Sequence, residues 1–317
     1  MRFRIVYMYL VIFMGVISSH ALASQPVQNF IFIGGDGINI SKYQKYIDDP
    51  SIVGVQVSYS WKLLQPAKGI YNFQPIQYDL DYLTAHHKKL FIQIQDRFFM
   101  PNAKNIPAYL MSDPIYGGGI VPQMDNSGEN KAQVEGWVAM QWNMNVREQY
   151  QSLLQALAKE YDGKIYGINL PETAIDVVNT KQNGFSNSGY FQAEIDNMLA
   201  AKRFFKKSVV VQYVNFFPGE WDNDKGYMST LFSTAIANGV GLGGPDVVPY
   251  KNGQMHNSYP FFNRYHTKLD VVAMAIQLPD YTYINPNTKK PFTKTELIDF
   301  ATHYLGANIL FWEVDGD

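Results

Sequence analysis

The sequence predicts an α/β chain folded as a (β/α)8 barrel, a TIM barrel, in one domain, and three observations predict it. Eight short runs rich in Val, Ile, Phe and Tyr recur along the chain, stretches at helical spacing separate most of them, and no Gly-x-Gly-x-x-Gly turn opens the series. Parallel strands need a crossover between them. Eight such units in about 290 residues fit a closed barrel better than an open doubly wound sheet.

The strand runs are FIFIGG (30–35), IVGVQVSYS (52–60), KLFIQIQ (89–95), KIYGINL (164–170), SVVVQYVNF (208–216), GVGLGG (239–244), DVVAMAIQL (270–278) and NILFWE (308–313). Each is short, β-branched or aromatic, and bounded by turn residues. Helical patterns fall at 78–88, 146–161, 190–205, 226–239 and 293–306. In the second, Tyr150, Leu153, Leu154, Leu157 and Tyr161 make one apolar face. The last opens on Thr293 with Glu296 three residues on, a capping box, and ends on Gly306. GGDG (34–37) is too short for a dinucleotide fingerprint and reads as a tight turn.

Ahead of this series, residues 1–23 carry Arg2 and Arg4, an uncharged run from Ile5 to Ile17, and Ala21-Leu22-Ala23. That is the layout of a secretory signal peptide. The expected mature domain is 24–317, exported to a periplasm or the outside, with no later segment long and apolar enough to span a membrane. The formal charge is −2 with 26 basic and 28 acidic residues, and losing the leader removes two arginines and no acid. A weakly acidic chain lacks the positive field that nucleic acid requires. Without cysteine there is neither disulfide nor thiolate metal site, so the core alone must hold the fold. Aromatics make up 15% and charged residues 17%, a balance suited to stacking against flat, weakly charged ligands such as sugars, or to filling a core.

In a barrel of this kind the strand C-termini carry the chemistry. The fourth strand ends in Pro171-Glu172, which places a carboxylate at the mouth. Other polar groups follow the strands in the same way: Asp36, Trp61, Asp96 with Arg97, Asn215 with Glu220 and Trp221, Asp246, Gln277 with Asp280, and Trp312 with Glu313. Acids and tryptophans without a lysine placed for a Schiff base point to glycosidic chemistry, which needs one carboxylic acid on the leaving oxygen and a second carboxylate to attack or to activate water.

At these residues a family resemblance stands out. GVQVSYSWKLLQPAKGIYNF, with Gln65, Pro66, Gly69, Tyr71 and Phe73, resembles the second βα unit of clan A glycoside hydrolases. INLPETA is similar to the fourth-strand end where these enzymes keep their acid/base glutamate, and ILFWE to their eighth strand, whose tryptophan floors the sugar subsite. The resemblance implies a hydrolase acting on an oligo- or polysaccharide, with Glu172 as general acid/base. Trp312 would then floor the sugar subsite, and Trp61, Asp96, Arg97, Asn215, Asp246 and Gln277 complete the expected sugar-binding set from their places at the strand ends. Packing in the upper barrel layer is the alternative for the two tryptophans, and a structural turn is that for Asp246. No cofactor or metal is expected.

Two departures bear on this. Pro171 precedes Glu172 where the clan has asparagine, and Gln277 occupies the strand-seven position of the clan's nucleophilic glutamate. An amide does not ionise. The second carboxylate is therefore Asp280 or Glu313, or the protein binds sugar without cleaving it. For Glu172 to act as an acid near neutrality its pKa must be raised by burial.

The six histidines form no His-Glu-x-x-His, and VDGD at the C-terminus is too short for a calcium loop. The stretch from about 98 to 145 is too long for an ordinary connection and is expected to wall or cover the mouth, with Trp137, Gln141 and Trp142 as further ligand contacts or as packing. Four residues follow Glu313, too few for an eighth helix, so another segment closes the barrel or the sequence is cut short.

Overall fold

The computed structural model describes residues 26–125 and 133–315; the signal-peptide reading of 1–23 lies outside them. Eight parallel strands form a closed barrel. They are β1 (Gln28–Ile33), β2 (Ile52–Ser60), β3 (Lys89–Gln95) and β4 (Gly167–Leu170), then β5 (Val209–Tyr213), β6 (Gly241–Gly244), β7 (Val272–Ile276) and β8 (Ile309–Glu313). Closure is direct: β1 pairs with β8 in the register Gln28↔Ile309 through Phe32↔Glu313, and with β2 on its other side.

Pleating sends alternate residues inward, and the inward set falls into two layers. Below, Phe30, Phe91 and Phe311 pack with Tyr166, the Phe91 and Phe311 ring centroids 5.1 Å apart and edge to face. Gly167 makes room for this plug, since a Cβ there would sit 2.6 Å from the Phe91 ring. Above, Gln56, Gln93, Asn169 and Tyr213 turn the interior polar, with all four residues at most 5% exposed. The barrel is thus sealed by hydrocarbon at one end and lined by amides at the end where the strands finish.

The helices form the outer layer. Those expected are present, at Gln74–Ala85, Met144–Tyr161, Asn187–Phe204, Tyr227–Asn238 and Lys294–Asp299, the last continuing as a π-helix over Phe300–Tyr304. The Thr293–Glu296 capping box closes as anticipated, with both reciprocal bonds made. Short helices not foreseen follow β1, at Gln44–Ile47, and β6, at Asn252–His256 and Tyr259–Tyr265.

Within the long stretch after β3, Arg97–Phe98, Gln133–Ala139 and Ile120–Asp125 form an antiparallel sheet with Gln133–Ala139 in the middle. Gly136 lets the first two strands close up, because a Cβ there would fall 1.8 Å from the Phe98 carbonyl oxygen. Among the described residues no helix is long and apolar enough to cross a membrane.

Candidate active site

The strand C-termini surround a cavity of about 180 Å³. Its wall is built from Gln56 of β2, Gln93 and Gln95 of β3, Tyr213 of β5, Ala275 of β7 and Phe32 of β1, together with Arg97, Phe98, Phe99, Glu172, Pro245 and Gln277 from beyond the strand ends. Glu172 is the acid in that wall.

The turn that carries it is held from both neighbouring strands. Arg97 Nη1 donates to the Glu172 carbonyl oxygen at 2.7 Å, and Gln212 Nε2 donates to the Pro171 carbonyl. Thr173 N donates to the Tyr213 carbonyl, and the Thr173 hydroxyl accepts from Asn215 N. These bonds fix the backbone and leave the carboxylate free to meet the cavity, where Asn215 Nδ2 donates to Glu172 Oε2 at 3.2 Å. Burial pushes the Glu172 carboxyl up to about 7, and the negative charge of Asp246 adds to the rise; the Asn215 bond and the charges of Arg97 and Lys251 offset part of it. Loss of hydration disfavours the ionised form more than these partners restore it.

Arg97 is itself buried, and two acids compensate it: Asp96 Oδ1 lies 2.8 Å from Nε and Glu194 Oε1 lies 3.0 Å from Nη2. Gln141 Nε2 donates to the other Asp96 oxygen, and Gln141 Oε1 accepts from Asn197 Nδ2. Burial raises Glu194 to about 7, outweighing the pull of Arg97. Asp96 and Arg97 therefore form a buried ionic scaffold beneath the mouth, with Arg97 at its edge.

The remaining sequence-chosen residues divide. Gln277 lines the cavity, its Nε2 donating to the Pro245 carbonyl. Asp246, next in the chain, is held by Lys251 Nζ at 3.2 Å and by Gln254 Nε2. Asp280 turns inward to the backbone, where Oδ2 accepts from Gln277 N at 2.9 Å and Val247 N at 3.0 Å. Its carboxyl is also raised to about 7 by burial, in spite of those bonds. Glu313 Oε2 accepts from Leu278 N at 2.7 Å. Of these three acids, Asp246, Asp280 and Glu313, none lines the cavity.

Two tryptophans are placed elsewhere. Trp61 is fully buried, bonded to Gln65 Oε1 at 2.7 Å and set edge to face against Tyr150. Trp312 faces the helical layer, bonded to Asn29 Oδ1 with Lys294 over its ring, because its neighbour Phe311 takes the inward position. Trp137 bonds the Pro101 carbonyl and Trp142 the Asn183 carbonyl, so the lid residues pack, and Phe98 and Phe99 reach the cavity in their place.

The residues the sequence reading passed over are the amides Gln56, Gln93 and Gln95 with Tyr213. Their signal was available: FIQIQ and GVQVS place polar side chains at every second position of otherwise apolar strands. Among the described residues no group of three His, Asp or Glu side chains is arranged to hold a metal ion.

No family profile matches the chain, and no curated protein sequence matches it. Solved structures do. The catalytic domain of a β-amylase from Paenibacillus polymyxa aligns with a TM-score of 0.60 at 9% identity, covering 91% of this chain and 92% of that one. A family 39 glycoside hydrolase from Bacteroides cellulosilyticus WH2 aligns at 0.54 and 11%, over 93% and 58%. A GH30 endoxylanase from Clostridium papyrosolvens C71 aligns at 0.54 and 10%, over 92% and 66%. The barrel is similar to those of clan A glycoside hydrolases. At these identities the likeness is one of fold, and what the site does rests on its own residues.

Proposed function

We propose that the protein is an exported glycoside hydrolase in which Glu172 protonates the leaving glycosidic oxygen. The observation that carries this is a single carboxyl, set in the wall of the barrel-mouth cavity on a turn clamped from β3 and β5, that holds its proton to about pH 7. A general acid needs that combination of access and retained proton. The surrounding amides supply neutral donors and acceptors suited to hydroxyl groups.

For the second carboxylate, Asp246 suits the role better than Asp280 or Glu313. The latter two accept from backbone amides, whereas the charge of Asp246 bears on Glu172 and its side chain is held by Lys251 and Gln254. Glu172 would donate its proton as the bond to the anomeric carbon breaks, and Asp246 would activate the water that replaces it. Gln277 at the end of β7 favours a second reading, sugar binding without cleavage. Chromogenic glycosides and neutral polysaccharides, offered to wild type, Glu172→Gln and Asp246→Asn, decide between them. Cleavage by wild type that both variants lose supports hydrolysis; binding without product from any of the three supports the second reading.

A further inference from the structure

Beside the mouth lies a larger groove, about 440 Å³, between the loops that follow β4, β5 and β6. Its wall includes Ile175 and Phe216, which lie just beyond the Glu172 turn and Asn215 in sequence, and Trp221. Trp221 is 47% exposed, unusual for so large an apolar ring. One face is already taken: the His256 ring stacks on it at 4.7 Å and 23°, and His256 Nδ1 lies 2.7 Å from Asp222 Oδ1. The turn beneath is tight, with Asp222 and Asn223 both left-handed, Trp221 N donating to Asp224 Oδ1 and Ser229 N to Asn223 Oδ1. The ring is thus a backed platform on a fixed turn.

We propose that this groove binds the continuation of a neutral glycan chain whose reacting unit occupies the mouth, with Trp221 as the stacking platform for a distal sugar. The inference rests on the mouth being a sugar site. The mouth cavity, about 180 Å³, falls short of the roughly 300–1,000 Å³ of ordinary ligand pockets, so an oligosaccharide would extend beyond it. The groove residue Phe216 directly follows Asn215, whose side chain bonds Glu172 at the mouth. Aromatic faces interleaved with Asn187 and Asn257 match a sugar's CH faces and hydroxyls. The charged residues of the groove wall are Asp176 and Glu220, the latter turned to the Tyr227 and Met228 amides, and the wall offers no lysine or arginine to hold a uronate.

The test uses calorimetry in the Glu172→Gln background, so that binding is read without turnover. The probes are the trioses and hexaoses of the cello, xylo and malto series and a galacturonate hexamer. The expected result is a hexaose of one neutral series binding roughly tenfold or more tighter than its triose, with no such gain for galacturonate. Adding Trp221→Ala should erase the gain and Trp221→Phe should keep most of it. A gain that survives Trp221→Ala, a gain shared by galacturonate, or no neutral hexaose bound overturns the proposal. If the gain depends on Trp221 while wild type releases no product, the hydrolytic reading fails and the groove stands. If wild type cleaves but chain length makes no difference, the groove alone fails.

Discussion

Replacing Glu172 by glutamine should leave stability unchanged in acid and raise it in alkali. The carboxyl ionises near 7 in the fold and near 4.5 as an ordinary glutamate. Because the folded value is the higher one, the protonated side chain's contribution is fully present below about pH 4.5 and is lost as pH rises through about 7. At about 1.4 kcal/mol for each pH unit separating the two states, the ionised carboxylate costs about 3 kcal/mol at pH 9. Glutamine keeps an oxygen for Asn215 and carries no charge, so it escapes this cost. Glu194 and Asp280 ionise in the same range, but both are present in wild type and variant, so the difference isolates position 172. Thermal denaturation of both proteins from pH 4 to pH 9 should show coincident Tm values at the acid end and a variant higher by about 5 °C at the alkaline end. A gap that does not change with pH, or a variant less stable at pH 9, would refute the claim that burial holds the proton on Glu172.

Three further outcomes follow from the same contacts. Asp246→Asn removes a charge that raises Glu172, so the midpoint of the stability difference above, read between Asp246→Asn and the Asp246→Asn/Glu172→Gln double variant, should move to lower pH; an upward move contradicts the pairing. Arg97→Met strands Asp96 and Glu194 in the interior and should cost about 3–5 kcal/mol, read by urea unfolding at pH 8. Gly167→Ala drives a methyl into Phe91 and within 2.8 Å of the Val209 carbonyl oxygen, and should cost about 1–3 kcal/mol by calorimetry, with little change in ligand binding since the plug lies below the site.

The barrel was legible because its strands are buried on both faces and so read as near-continuous apolar runs. β2 and β3 fall at the residues expected, 52–60 and 89–95. β4 is shorter than its run, Gly167–Leu170 instead of 164–170, because Lys164 and Ile165 bond back to the carbonyl of Tyr161 at the preceding helix end. The helices after β1 and β6 escaped notice because they are too short to show a period, and the latter pair is split at Asn257–Ser258.

At the site, Glu172 could be placed from its position alone, one residue past a proline that ends a strand. Trp312 could not: Phe311 and Trp312 are adjacent aromatics, only one faces inward, and the pairing of Ile31 with Trp312 decides which. Nor does sequence reveal that Asp280 is spent on the Gln277 and Val247 amides, since that depends on β6 and β7 lying side by side.

Arg97 belongs to two structures at once. Its backbone pairs with Val138 in the antiparallel sheet, and its side chain grips the Glu172 carbonyl. Phe98 and Phe99, which follow it in the chain, line the same cavity as Glu172. One side chain, that of Arg97, thus ties the added sheet to the turn at the barrel mouth, and its loss would loosen both together.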